Sequence, residues 1–335
     1  MKVIVITSIA HDSNPILKQI ADECLVQNLP FVLIGDTKSP DKFDLKGCDF
    51  YSLSRQQKLP FQLVSITPQR HYSRKNVGYL IAMKLGATEI QETDDDNIPL
   101  YDFWKDSSLT IRGKAVRDQG WINVYSHFSK TQVWPRGFPL EFLKMKAPMI
   151  DASLTEHLCP IQQGLANENP DVDAVFRLVG GLPIDFDNHH PLILLNNSWC
   201  PFNSQNTRWY EEAFPLLYLP SYCSFRMTDI WRSYIAQRIA WECNWGILFH
   251  QATVRQERNE HNLLKDFEEE IPGYLNNARI VKALSELVLK KGKESMYPNL
   301  ITCYEKMIEL GVVDLKELQL LDAWITDCEN VSGTE

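Results

Sequence analysis

Apolar residues fall into short runs near the amino terminus. Lys2 to Ser8 (KVIVITS) is rich in Val and Ile, the pattern of a strand buried on both faces of a parallel sheet. After a polar turn, Pro15 opens a segment in which Ile16, Ile20 and Cys24 recur at helical spacing as far as Asn28. A second apolar run, Phe31 to Ile34, stops at Gly35-Asp36. Strand, helix and strand in this order predict a β-α-β unit covered by helices. Polar Arg70 to Asn76 leads into Val77 to Leu85, where Tyr79, Leu80 and Met83 keep helical spacing and Gly86 follows as a C-cap. Thr88 to Thr93 predicts another strand, with Asp94, Asp95 and Asp96 at its carboxyl end. Open α/β sheets bind ligands at that end.

From about Trp104 to Pro220 no period is sustained, and the Pro-, Asn- and aromatic-rich stretch predicts irregular loops with mixed strands. Ile230 to Trp245 reads as a helix with an apolar stripe of Ile230, Tyr234, Ile235, Ile239 and Cys243. Beyond Asp266 the pattern predicts three amphipathic helices, Ile280 to Leu289, Leu300 to Leu310 and Leu315 to Ile325. No internal repeat or low-complexity segment interrupts the chain. The expectation is an α/β core over residues 1–275 and a C-terminal helical module over 276–335.

Composition narrows the function. The 335 residues are 44% hydrophobic and 23% charged, ordinary for a globular protein. A net charge of -9 argues against broad binding to nucleic acid or anionic membrane, so an anionic substrate needs a local basic patch or a metal. No stretch approaches the ~20 apolar residues of a membrane span, and the first residues do not read as a signal peptide. The eight cysteines are scattered without a Cys-x-x-Cys pair, the usage of free thiols in a reducing compartment. These features predict a cytoplasmic protein.

Three adjacent aspartates repel one another, by about 4 kcal/mol per pair at 4 Å and an effective dielectric of 20. Solvation in a turn relieves this, and so does a divalent cation gripped between the carboxylates. Oxygen-only donors suit Mg²⁺ or Mn²⁺, whose shells are commonly completed by substrate phosphates. The preceding strand and the following Pro99 favour the second account.

The segment YSRKNVGYLIAMKLGATEIQETDDDNIP, Tyr72 to Pro99, resembles the core of the STELLO family of glycosyltransferase-like proteins and, more distantly, the reversibly glycosylated polypeptides (UDP-arabinopyranose mutases). Matching motifs follow the same order along the chain: GDTKSP from Gly35, WPRGFP from Trp134, GLANENPDVDAVFRL from Gly164, LPSYCSFRMTDIWRSYIAQR from Leu219 and RNEHNL from Arg258. They cover most of the chain to about residue 275; the C-terminal helices resemble the family more weakly. The resemblance implies a GT-A fold, a Rossmann-like mixed sheet with helices on both faces, whose DxD motif holds a metal against a nucleotide-diphosphate sugar. Carried over, Asp96 is the direct metal ligand, Asp94 touches the ribose or sugar and shares the metal, and Asp95 stands between. His250, closing the apolar run Gly246 to Phe249, is a further ligand candidate, with His261 as its competitor. Asp36 and Lys38, after the second strand, match the base or ribose contact.

Arg70, Arg74 and Lys75 precede a helix, where cations oppose the macrodipole. Either they form a solvated basic face or they meet a diphosphate, which Arg matches bidentately. Asp229 opens a helix, where an acidic residue complements the dipole; the resemblance also admits a catalytic or acceptor-binding role. Arg136, in Arg-Gly-Phe-Pro, matches an arginine that carries sugar in the mutases, or else binds an anion in a turn. Asp171 and Asp173 are further candidates for the sugar pocket. Three functions stand open: glycosyl transfer to a glycan, lipid or protein hydroxyl, a mutase-like rearrangement or self-glycosylation, and a non-catalytic scaffold of the same fold.

Overall fold

The computed structural model describes residues 1–40, 42–116, 119–144, 149–257 and 262–333. Its strands are β1 Lys2–Thr7, β2 Phe31–Ile34, β3 Asp49–Tyr51, β4 Glu89–Thr93, β5 Asn97–Pro99, β6 Thr110–Val116, β7 Gly120–Trp121, β8 Ile150–Leu158, β9 Ile161–Asn167, β10 Leu192–Leu194, β11 Ser198–Trp199, β12 Asn206–Tyr210 and β13 Ile247–Gln256. The α-helices are α1 Pro15–Gln27, α2 Leu53–Gln56, α3 Gln62–Ile66, α4 Lys75–Lys84, α5 Tyr125–Phe128, α6 Ala174–Val179, α7 Thr228–Glu242, α8 Leu263–Ser285, α9 Met296–Glu309 and α10 Glu317–Ser332.

A mixed sheet runs in the order β3-β2-β1-β4-β12-β9-β13-β10-β6-β8, with β5 pairing β13. The first four strands are parallel, and β12 turns the sheet antiparallel at β4. Successive strand side chains face opposite sides, so Val3 and Val5 pack with α4 residues Val77, Leu80 and Ile81. Ile4 and Ile6 pack on the other face with Ile16, Leu17 and Ile20 of α1. Helices therefore cover both faces, as expected for a GT-A-like fold. Gly78 permits the approach of α4, because an added Cβ would lie 2.7 Å from Val5 and 2.9 Å from Ile34. Asn14 caps α1 through Ile16 and Leu17 N–H, and Gly86 ends the α4 segment at φ +79°.

The second and third expected C-terminal helices form as α9 and α10, whereas the first is the end of a longer helix, α8, which starts at Leu263 and stops at Ser285, so the 275/276 division falls inside it. Their residues Ile280, Leu284, Leu300, Tyr304, Leu321 and Trp324 share one core cluster with the α4 face of the sheet. Asp327 accepts from the Gln62 and Leu63 N–H groups at 2.9 Å each, capping α3.

Two features differ from the sequence reading. α7 has no polar face: Arg232, Ser233, Gln237 and Arg238 are buried with its apolar residues. β13 does not stop at His250 but continues to Gln256, where it pairs with β5. Under α7 lies the ion pair Arg232–Glu92, 2.8 Å apart with both side chains essentially inaccessible. Glu92 also accepts from Trp209 Nε1 at 2.8 Å and from Tyr79 Oη. Removing one partner strands a buried charge, so Glu92→Gln and Arg232→Leu should each lower unfolding free energy by about 3–5 kcal/mol. Denaturant titration of both single variants and the double variant checks this. The double should lose less than the sum, and strict additivity would refute the pairing.

Candidate active site at the carboxyl end of the sheet

The chain leaves β1 through Ser8 and Ile9, β2 through Gly35 to Lys38, and β4 through Asp94 to Asp96. These turns floor a cavity of about 540 Å³, the size of a small-molecule site. Its lining also takes in Arg70, Arg74, Arg136, Asp171 and Asp229, so one cleft gathers most of the residues singled out from sequence.

Each aspartate of the triplet is held differently. Asp94 Oδ1 accepts from Tyr72 Oη at 2.8 Å and Lys75 Nζ at 3.2 Å. Asp95 accepts from Ser8 Oγ, and Asp96 Oδ2 from Gln256 Nε2 at 3.0 Å. Burial pushes the Asp94 carboxyl above the usual carboxylate range, with Lys75 pulling it back; burial does the same to Asp95 against its bond from Ser8. All three carboxylates thus line one corner of the cavity, and among the described residues the buried Lys75 ammonium pairs with Asp94. Among the described residues, no group of three or more His, Cys, Asp or Glu side chains converges as a ready-made metal cage.

The basic residues divide. Lys75 is fully buried and the three N–H groups of its ammonium are shared among Tyr72 Oη, Thr93 O, Asp94 Oδ1 and Ser204 O, all within 3.2 Å, so it braces the triplet from behind and is not placed to meet a phosphate. Arg74 reaches the cavity wall, but its guanidinium is spent on Gln56 Oε1 and the Thr67 carbonyl at 3.1 Å. Arg70 and Lys38 are exposed on the rim, Arg70 donating to Thr37 Oγ1 at 3.3 Å from a left-handed backbone (φ +56°). Asp36 lies beside them and accepts from His71 N–H at 3.1 Å, which ties the β2 turn to the segment before α4.

Across the cleft, Arg136 is a clamp. It binds Asp171 bidentately at 2.7 and 2.9 Å, reaches both Asp229 oxygens at 3.1 and 3.2 Å, and donates to the Arg226 carbonyl. Asp229 Oδ2 also accepts from Ser204 N–H and Oγ, both at 3.1 Å. Burial alone would raise the Asp229 pKa; Arg136 and then Arg232 outweigh it and hold the carboxyl below the usual range. A proton acceptor needs the opposite tuning. Arg136, with all three guanidinium nitrogens donating and its charge reinforced by two carboxylates, offers no lone pair to a sugar.

Two candidates lie elsewhere. His250 sits in the middle of β13, six residues and roughly 20 Å of strand from Gln256, with its ring against the Gln251 carbonyl at 3.0 Å. Its place inside a continuous strand separates it from the triplet. Asp173 is fully buried, caps α6 through Phe176 N–H at 2.8 Å and accepts from Trp134 Nε1 at 2.7 Å, which leaves it no cavity face. His261 lies outside the described residues. Sequence reading passed over Ser8, Tyr72, Ser204 and Gln256, the residues that hold the carboxylates. Only Tyr72 and Ser8 carried a signal, through their nearness to a strand end and a helix start.

The parallel half-sheet, its acidic corner and the cleft at the carboxyl ends define a GT-A-like α/β protein. Comparison with known proteins carries this further. The model of the STELLO glycosyltransferases matches residues 226–333. Two Arabidopsis thaliana proteins, named Probable glycosyltransferase STELLO2 and Probable glycosyltransferase STELLO1, are each 30% identical over 315 residues, 88% of this chain and 40% of their own length. The STELLO resemblance read from the motifs is borne out, and the chain spans less than half the length of these relatives. No helix among the described residues is long and apolar enough to cross a membrane.

His250 supplies a pH test. Burial, aided by Arg208, lowers its pKa from 6.5 to about 4. A depressed folded pKa gives stability that is present above pH 6.5 and lost as pH falls toward 4. Asp173, raised by burial to about 6, works oppositely, its contribution fading as pH rises through 6. The difference between wild type and His250→Gln isolates the histidine: between pH 7 and 4 the wild type should lose more unfolding free energy than the variant. Parallel pH profiles would refute its neutral burial.

Proposed function

We propose that the chain is a metal-assisted glycosyltransferase that moves a sugar from a nucleotide-diphosphate donor, UDP-linked by default, to a hydroxyl of a glycan, lipid or protein acceptor. One observation carries the reading: the three adjacent carboxylates line the floor of a cleft with cationic Lys38 and Arg70 on its rim, Asp94 being paired with the buried Lys75. The donors fit an ion held by one or two carboxylates and completed by phosphate oxygens and water, the usual arrangement for Mg²⁺ or Mn²⁺. Asp96 and Asp94 would hold it. When bound, such an ion neutralises charge on the departing nucleoside diphosphate.

The protein's own groups have separable tasks. Arg70 and Lys38, exposed on the rim, meet the diphosphate or nucleoside, and Asp36 lies where a ribose or base docks. Asp171, Arg136 and Asp229 form a rigid acceptor-side wall that orients the incoming hydroxyl. Asp229 acts there by position and charge, since its proton affinity is depressed. Preorganised charge of this kind is commonly the largest contribution to rate. The saturated guanidinium of Arg136 disfavours the mutase-like route through an arginine-linked sugar. The scaffold alternative predicts no nucleotide binding.

Thermal unfolding with UDP-sugars, with and without Mn²⁺, decides between them. A ligand at a hundredfold excess over its Kd should add about 2.7 kcal/mol to stability, and only when Mn²⁺ is present. Asp96→Ala should keep the unliganded Tm within a few degrees and abolish the Mn²⁺-dependent shift. An undiminished shift in that variant would remove the role assigned to the triplet. Calorimetry that finds no binding of UDP, GDP or Mn²⁺ to the wild type would favour the scaffold.

A further inference from the structure

The donor corner and the acceptor wall are joined by two hydroxyls that cannot satisfy all their contacts at once. Tyr72 Oη lies 2.8 Å from Asp94 Oδ1 and 2.8 Å from Ser204 Oγ, and Ser204 Oγ lies 3.1 Å from Asp229 Oδ2. With both carboxylates ionised, three oxygen–oxygen contacts share two protons, because each hydroxyl donates once. Lys75 Nζ, 2.7 Å from Tyr72 Oη, is itself a donor and cannot supply the missing acceptor. Every arrangement therefore leaves one pair of oxygens facing without a proton: with each hydroxyl donating to its own carboxylate that pair is Tyr72–Ser204, and in the two others the protons run in one direction along the chain. In one, Ser204 donates to Tyr72 and Tyr72 to Asp94. In the other, Tyr72 donates to Ser204 and Ser204 to Asp229.

We propose that Tyr72 and Ser204 are positioning residues that couple donor occupancy at Asp94 to the hydrogen bonding of Asp229. The inference rests on the donor-binding reading of the triplet and adds a link that the reading does not contain. When a cation or donor hydroxyl takes over Asp94, the tyrosine proton turns to Ser204, which leaves the serine proton on Asp229 and excludes the arrangement in which it points at Tyr72. Donor binding thereby tightens the acceptor wall, and by reciprocity a tightened wall favours the donor. No bond to carbon forms and no charge leaves the protein; the two O–H groups rotate. Ser204 is buried and Tyr72 half-buried, so water has little access to replace either hydroxyl.

The test is a double-mutant cycle read by calorimetric affinity for Mn²⁺·UDP. In Ser204→Ala the tyrosine proton has no second acceptor and competes with the ligand at Asp94, so affinity should fall about tenfold. In a Tyr72→Phe background the same serine change should leave affinity within twofold of Tyr72→Phe alone. Ser204→Thr, which keeps the hydroxyl, should bind as the wild type does. Equal losses from Ser204→Ala in both backgrounds would overturn the coupling and make Ser204 a direct contact. Should Tyr72→Phe not fold, the serine pair decides: recovery with Thr supports the link, and equal loss with Ala and Thr overturns it. A wild type that binds no Mn²⁺·UDP refutes the donor site itself, a separate outcome from binding without coupling.

Discussion

A buried ion pair underlies the cleft. Glu92 stands two residues before the aspartate triplet on β4, and Arg232 lies one turn into α7, three residues past Asp229. Their contacts at 2.8 and 3.1 Å bolt the strand that delivers the donor-side carboxylates to the helix that delivers the acceptor-side one. Two desolvated charges are costly unless their remaining valences are met. Here Trp209 and Tyr79 complete the carboxylate, and the Arg232 guanidinium lies over the Trp209 ring, 5.0 Å from its centroid. The relative placement of Asp94 and Asp229 follows from this one junction, and so does the short path through Tyr72 and Ser204.

The second brace is the turn carrying Arg136. Gly137 adopts φ +90°, and a Cβ there would overlap Ile230. Its carbonyl accepts from Tyr234 Oη at 2.7 Å and Asn277 Nδ2 at 2.8 Å, so α7 and α8 both hold the turn. A side chain fixed on both sides by carboxylates and behind by two helices has little freedom to leave the wall. The Arg-Gly-Phe-Pro motif therefore reads as geometry for a clamp, with the glycine required by the closeness of α7.

The amino-terminal half of the sheet was legible because parallel strands buried on both faces are continuous apolar runs, and Lys2–Thr7 and Phe31–Ile34 formed where the pattern put them. The middle was not, because its strands bury polar side chains. β9 carries Gln162 and Gln163 into the interior, where their amides donate to the Ser108, Cys159, Gly164 and Asn206 carbonyls. No binary pattern survives such satisfaction of amides by backbone. Glu92 escaped for the same reason: in EIQETDDD it reads as the polar side of a half-exposed strand. The triplet itself was visible because three like charges at a strand tip need an explanation. The hydroxyls and amides that hold them did not stand out, since Ser, Tyr and Gln are common on any surface.

The C-terminal helices bear on the cleft through charge as well as packing. Glu317, buried at the start of α10, accepts from the Ser221 and Tyr222 N–H groups and from Tyr218 Oη, fixing the loop that leads to Phe225 and Arg226 on the cleft wall. Asp327, three turns on, fixes the start of α3, which leads through Thr67 to Arg74. Backbone N–H groups in loops lack ladder partners and must find acceptors elsewhere. Two carboxylates from one helix supply them to two separate segments that lead to the cleft. Removing that helix would therefore expose apolar core and also release two segments bordering the site, which makes the C-terminal region part of the cleft's construction as much as an appendage to its core.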